Sequence, residues 1–237
     1  MAATNSTSLL DQILADPPAV HTMGPGTTEL GTWATDRPVY ELLLTEVGRG
    51  SVTLETGSGI STALLGGIGA LHTCVTPFAE EEQRLRDWSE RKAFDLSSVR
   101  FIIGSSADVL PVLTTDPLDV LLVDGGHGFP IPSIDWFYGA RFLRDGGLLI
   151  IDDAHLPAVG SLIDYLDRDP RWRAIEHHQK WCAYRRVGTE PLLRDHHQQP
   201  WYRAGRARDL GSRELSKLLA AASIRSLQRR IAHFRGQ

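Results

Sequence analysis

Cysteine is scarce in this chain, with two in 237 residues, and neither Cys74 nor Cys182 belongs to a Cys-x-x-Cys pair or to a Cys/His cluster of zinc-ligand spacing. That argues against a disulfide scaffold and against a structural zinc site. Long apolar runs are also missing, and nothing approaches the ~18 consecutive apolar residues of a membrane span. The opening MAATNSTSLL has neither a basic leader nor an apolar segment fit for secretion. The expectation is a cytoplasmic protein with no membrane partner. Positive charge is short everywhere except at the end. From Glu190 onward there are ten Lys plus Arg against four Asp plus Glu, so the tail carries +6 while residues 1–189 carry −10. An acidic main body is a poor partner for nucleic acid, whereas the tail could meet something anionic. No internal repeat of useful length is present.

What is there is an alternation of apolar runs and helical patterns. SVTLETGSG reads as a strand entering a glycine turn, and ISTALLGGIGAL as the helix that follows. LHTCVTPF is a second strand. AEEEQRLRDWSERKAF then places three Glu in a first helical turn and basic residues later, the order that suits a helix dipole. VRFIIGSS, LDVLLVDGG and GLLIIDDAH are further strands, and IPSIDWFYGARFLRDGG reads as a helix stopped by Gly-Gly. WRAIEHHQKWCAYRRVG can be two strands meeting near His178 and Gln179. Continuously apolar strands separated by helices predict an α/β fold, a doubly wound and mostly parallel sheet with a C-terminal antiparallel strand pair. Residues 1–50 are expected to form a lid and substrate segment, 51–188 the main domain, and 189–237 a basic extension. In that extension SRELSKLLAAASIRSLQRRIAHF reads as an amphipathic helix that could dock on its own domain or on a second copy of the chain.

In such sheets ligands sit outside the C-terminal ends of the strands. The turns ETGSG, TPF, GSS, DGGH and DDAH all follow strands, so one rim collects the chemistry. Gly57 and Gly59, flanking Ser58, permit tight turning and close ligand approach. Thr62 stands where a dinucleotide fingerprint would have its third glycine, which counts against NAD. Glu55 would repel a pyrophosphate and welcome an ammonium group. Asp124 lies 28 residues before Asp152, and with Asp153 three carboxylates would converge on adjacent strand ends. They would repel one another unless a hard divalent cation intervened. His127, three residues after Asp124, can be a free base at neutral pH.

The acid-x-Gly-x-Gly turn Glu55-Thr56-Gly57-Ser58-Gly59 resembles the first motif of the class I S-adenosylmethionine-dependent methyltransferases. That resemblance implies that Glu55 neighbours the methionine amino group and that the glycines pass under the cofactor. It also points to Ser105 and Ser106 on the adenine side. The family's second strand ends in an acid that holds the ribose hydroxyls, but here Thr76 and Pro77 occupy the end, with Glu80 and Glu81 a few residues on. Either Glu80 reaches back or the ribose is held differently. Asp124-Gly125-Gly126-His127, Asp135 eight residues further on, and the Asp152-Asp153 pair resemble the metal-dependent O-methyltransferases of sugars and other natural products. This implies Mg²⁺ on Asp124, Asp152 and Asp153, with His127 as the general base.

The resulting expectation is methyl transfer from S-adenosylmethionine to a hydroxyl of a small molecule. Two rivals stand beside it: an NAD-linked oxidoreductase on a similar sheet, and a degenerate methyltransferase fold acting as a binding or assembly module. Trp136, Phe137 and Tyr138 are expected mostly in the core, with one bordering the acceptor. The Gly- and Thr-rich stretch before the first strand, with its one Trp, suits a lid over cofactor and substrate.

Overall fold

The computed structural model describes residues 3–199 and Tyr202. The chain divides into two compact units at Leu192/Leu193, and the first contains everything that follows. Its elements in chain order are α1 (Ala3–Ala15), β1 (His21–Thr22), β2 (Leu30–Gly31), α2 (Arg37–Glu46), β3 (Val52–Thr56), α3 (Ile60–Ile68), β4 (Leu71–Thr76), α4 (Ala79–Lys92), β5 (Val99–Ile103), α5 (Ser106–Val109), β6 (Leu118–Val123), α6 (Ile131–Gly139), β7 (Leu143–Ile151), α7 (Pro157–Leu166), β8 (Trp172–His177) and β9 (Cys182–Arg186). β1 and β2 form a small antiparallel ladder, and the other seven strands form one sheet in the order β5-β4-β3-β6-β7-β9-β8. β3 to β7 run parallel, while β9 pairs antiparallel with both β7 and β8.

The strands that read as continuous apolar runs are the central ones. Leu121, Leu148, Leu149 and Ile150 are fully shielded, and the sheet separates two apolar layers. On one side Leu54, Leu121, Leu149 and Tyr184 pack with Trp136, Tyr165 and Trp172. On the other, Val120, Leu122, Leu148 and Ile150 pack with Leu10, Ile13, Tyr40 and Leu43 of α1 and α2. A strand covered on both faces has no polar face to alternate, which is why these segments show no two-residue period.

Two expectations are corrected. The helix starting at Ile131 stops at Gly139, not at Gly146-Gly147. Gly139 lies so close to Leu121 that an added Cβ would meet that side chain at 2.9 Å, and from Leu143 the chain is already strand. The two glycines lie inside β7, where Gly146 adopts φ 72° beside an irregular register with β6. The N-terminal 50 residues are not a detached lid: α1 and α2 belong to the sheet's own core, and only the segment from Pro17 to Asp36 forms a strap. The proposed C-terminal amphipathic helix lies outside the described residues. Among the described residues no helix is long and apolar enough to cross a membrane.

Candidate active site

The ladder bonds run one residue past each strand and so align the turns. Gly57 N donates to Val75 O at 2.9 Å, Asp124 N to Thr56 O at 3.2 Å, and Asp152 N to Val123 O at 3.1 Å. The ends of β4, β3, β6 and β7 are therefore in step, and the glycine turn, Asp124 and the aspartate pair share one rim. Gly57 has φ 96°, and an added Cβ would run into the Asp124 carbonyl oxygen. Only glycine lets the two turns approach this closely. Gly57→Ala is accordingly expected to lower stability by about 2–4 kcal/mol, from positive φ and backbone overlap together. Urea denaturation reads this, and a change under ~0.5 kcal/mol would refute the close-approach account.

Above the rim lies a cavity of about 810 Å³, lined by Gly57, Ser58, Asp124, His127, Asp152 and Asp153 among others. Its size suits a cofactor-sized ligand with room for a second small molecule. His127 Nε2 lies 3.0 Å from Asp153 Oδ2, and the ligand atoms of Asp124, His127 and Asp153 are all within 4.8 Å of one another. Asp153 holds φ 52°, a left-handed conformation that non-glycine residues adopt at a cost and that aims its carboxylate at His127. Asp152 is turned to the strap, where its Oδ1 accepts from Thr35 Oγ1 at 2.8 Å. Lys180, in the turn between β8 and β9, also faces the cavity and donates to Ala34 O at 2.6 Å.

The carboxyl groups on this wall crowd one another. Burial first, then the neighbouring Asp152, Glu55 and Asp153 charges, push the Asp124 carboxyl well above the usual carboxylate range, with Lys180 opposing. Burial raises Asp152 as well, against the Thr35 hydrogen bond. The Asp124 and Asp153 carboxylates, with Asp152 behind them, are an oxygen donor set that fits a hard divalent ion, and the His127 imidazole stands beside it.

The cofactor side differs from the expected arrangement. Glu55 is buried beneath the turn, outside the cavity lining. Its Oε1 takes the Thr62 hydroxyl and pairs with His72 Nε2 at 3.0 Å, while His72 Nδ1 meets Thr53 Oγ1 at 2.8 Å. Thr62 Oγ1 also accepts from Gly59 N at 2.9 Å, so the residue at the third fingerprint position ties the turn to the start of α3. Gly59 lies in this tie and not on the cavity wall.

The acid that reaches the cavity is Glu81, not Glu80. Glu80 points to solvent, one residue out of phase on α4, and does not line the main cavity. Glu81 Oε2 accepts from Thr76 Oγ1 at 2.6 Å and Ser58 Oγ at 2.7 Å, and its Oε1 meets His21 Nδ1 at 3.0 Å. Burial alone would raise this carboxyl, but the three bonds outweigh it and hold its pKa below the ordinary range. Thr76, at the strand end where the resemblance expects an acid, thus borrows a carboxylate from the first turn of the next helix. Ser105 caps α5 through Ala107 N and is exposed, and neither it nor Ser106 lines the cavity. Asp135 is fully buried under the Asp124–His127 turn, its Oδ2 3.0 Å from where a Gly125 Cβ would be. Burial raises its carboxyl, and Ser106 and Thr56 partly offset that. Trp136 packs on Tyr165 and Trp172 in the core, and none of the three aromatics of α6 reaches the cavity.

The sequence does not single out His21, Thr35 or Lys180; it offers Glu81 only beside Glu80, and Trp33 only as the one Trp of the strap. The strap's Gly/Thr richness was a signal for His21, Trp33 and Thr35. Glu81 differs from Glu80 only by helix phase, and nothing local marks Lys180.

Residues 54–154 match a family described as a methyltransferase domain. No curated protein matches. Solved structures of similar fold include TomG, an O-methyltransferase from Streptomyces achromogenes involved in tomaymycin synthesis and solved in complex with SAM. It has a TM-score of 0.54 and 18% identity, covering 65% of this chain and 82% of that one. An rRNA methylase from Streptococcus thermophilus has a TM-score of 0.52 and 14% identity, covering 66% and 100%. A precorrin 8W decarboxylase from Methanobacterium thermoautotrophicum has a TM-score of 0.52 and 16% identity, covering 72% and 99%. Such different activities on one backbone mean that the likeness carries the fold alone. The matched segment begins inside β3 and ends just past the Asp152-Asp153 pair, so it contains the glycine turn and every carboxylate of the rim. Residues 54–154 are thus similar to a methyltransferase domain, carried on a Rossmann-like, mostly parallel sheet.

Proposed function

We propose that the chain methylates a hydroxyl oxygen of a small molecule with the help of a divalent cation of the magnesium class. The observation that carries this reading is the His127 Nε2–Asp153 Oδ2 contact of 3.0 Å beside Asp124 on the cavity wall, a base and two carboxylates at one point. Asp124 and Asp153, with Asp152 behind them, would hold the cation, which when bound would make the acceptor hydroxyl more acidic, and S-adenosylmethionine would supply the electrophilic methyl group. Gly57 and Ser58 leave room for the cofactor against the backbone, and Glu81, already hydrogen-bonded to Ser58 and Thr76, offers its carboxylate to the cofactor's ribose. His127 Nε2 takes the proton of the acceptor hydroxyl, with Asp153 orienting the ring and stabilising the imidazolium that forms. The contacts of Thr35 with Asp152 and of Ala34 with Lys180 support a strap that lies over the carboxylates and limits the access of water to them.

The test is turnover with labelled S-adenosylmethionine on a panel of hydroxylated small molecules. His127→Ala is expected to lower kcat by about 10²–10⁴-fold. EDTA is expected to remove activity and added Mg²⁺ to restore it. Full activity in EDTA would remove the cation from the reading, and full activity of His127→Ala would remove the base. Calorimetry with S-adenosylhomocysteine and NAD checks the rivals: binding of NAD alone would favour the oxidoreductase, and binding of neither the assembly module.

A further inference from the structure

Shortly after Leu192, three exposed side chains turn their donor atoms toward one point. The chain forms a 3-10 turn over His196–Gln198, and Asp195 caps it by accepting His197 N at 3.0 Å. Gln198 N donates to Asp195 O at 2.9 Å and Gln199 N to His196 O at 3.2 Å, which closes the backbone of the turn. Asp195 Oδ1 lies 3.3 Å from His196 Nδ1 and 4.0 Å from His197 Nε2. The two imidazoles stand side by side with centroids 3.7 Å apart, and Tyr202 packs near perpendicular to both, at 5.4 and 5.0 Å. Among the described residues only this turn and the Asp124–His127–Asp153 wall bring three such donor atoms within 4.8 Å of one another.

We propose that Asp195, His196 and His197 bind a transition-metal dication of the zinc class, with water completing its coordination. The chemistry of the donors selects the ion. Imidazole nitrogen suits Zn²⁺, Ni²⁺ or Cu²⁺, whereas Mg²⁺ takes oxygen, so this turn and the oxygen set of the rim answer to different cations. A tetrahedral Zn²⁺ with bonds of ~2.0–2.2 Å sets its donors roughly 3.3–3.5 Å apart, a separation that Asp195 and His196 already have. Rotation of the exposed His197 ring brings the third donor in. The His197 N–H first, and then the two imidazoles, hold the Asp195 carboxyl below its ordinary range, so the oxygen ligand is anionic at neutral pH. Without an ion, one carboxylate oxygen faces two imidazoles, and exposed pairs of this kind contribute little by themselves. No sulfur takes part, so the scarcity of cysteine does not bear on this site.

The experiment is equilibrium dialysis of the full chain, without an affinity tag, against Zn²⁺ in millimolar Mg²⁺. The proteins are the wild type, Asp195→Asn, His196→Ala, the double variant His196→Ala/His197→Ala, and Asp124→Asn. The three side chains are exposed, and asparagine preserves the cap, so these changes at the turn remove ligands without unfolding the chain. Melting temperatures measured without metal check this. The wild type is expected to take up one Zn²⁺ per chain, with an affinity that falls at least about tenfold in Asp195→Asn and in His196→Ala. The double variant should show no saturable uptake, and Asp124→Asn should bind as the wild type does. The visible spectrum of the Co²⁺-loaded chain should show a ligand-field band that the double variant lacks. No saturable Zn²⁺ uptake by the wild type would overturn the proposal, as would displacement of the ion by Mg²⁺ or uptake undiminished in the double variant. Uptake abolished by Asp124→Asn would put the ion on the rim and overturn it equally.

Discussion

Asp124→Asn is expected to abolish methyl transfer and, in EDTA, to raise the melting temperature. The two effects have one cause. Asp124 stands at the end of β6 with Asp152, Glu55 and Asp153 as charged neighbours, and burial and their repulsion raise its carboxyl well above the usual range. A carboxyl whose folded pKa is raised binds its proton more tightly folded than unfolded. Its ionisation therefore costs stability increasingly as pH rises from the unfolded value, near 4, through the folded one. At neutral pH a neutral amide of the same shape escapes that cost. For a chain of this size, ~1 kcal/mol regained corresponds to roughly 2–4 °C. With Mg²⁺ present the order should reverse: the wild type gains stability by binding, RT ln(1 + [L]/Kd), and the variant does not. The loss in kcat should be at least about 10³-fold, equivalent to ~4 kcal/mol of barrier. Thermal denaturation of both proteins with and without Mg²⁺ reads all of this except turnover. A variant that melts lower in EDTA and keeps the wild-type Mg²⁺ response would show that Asp124 is an ordinary turn residue.

Glu81→Gln is expected to weaken S-adenosylhomocysteine binding by about 10–100-fold, while Glu80→Gln changes it by less than about twofold. On the proposed reading Glu81 holds both ribose hydroxyls, and hydrogen bonds worth ~1.5–3 kcal/mol each to a charged acceptor fall to ~0.5–1.5 kcal/mol each once the charge is removed, a loss of roughly 2–3 kcal/mol for the pair. Glu80, one residue earlier, faces solvent. The pH dependence follows from the same contacts. Because His21, Thr76 and Ser58 hold the Glu81 carboxyl below its ordinary value of 4.5, it remains a carboxylate through the neutral range. The stability it contributes is fully present above that value and is lost as pH falls through the lowered folded pKa. Acid titration of the melting temperature should show this loss in the wild type and a shallower one in Glu81→Gln. Equal effects of Glu80→Gln and Glu81→Gln on cofactor affinity would mean that the ribose contact lies elsewhere.

These two residues mark the limit of what local sequence conveys. Asp124 was legible because a buried parallel strand leaves a continuous apolar run, so its end is unmistakable and the residue after it must lie on the rim. The same logic found Gly57, His127 and the Asp152-Asp153 pair, and the strand alternation carried the sheet itself. Glu81 was not legible, because whether Glu80 or Glu81 turns inward depends on where α4 begins, and a one-residue change of phase rotates a side chain by ~100°. Glu55 differs again: it stands at the end of β3, but its carboxylate faces His72 and Thr62 under the turn and does not line the cavity.

The chain by itself therefore determined the sheet, the rim and the collection of carboxylates and imidazole along it, because those follow from strand ends and turn chemistry, which are local. Tertiary structure decided which groups touch. His127 meets Asp153 across 26 residues, Thr35 reaches Asp152 across 117, and Lys180 closes on Ala34 across 146. Such contacts are set by how the strap and the β8–β9 turn pack against the sheet, and packing between segments far apart in the chain leaves no periodic trace in either of them.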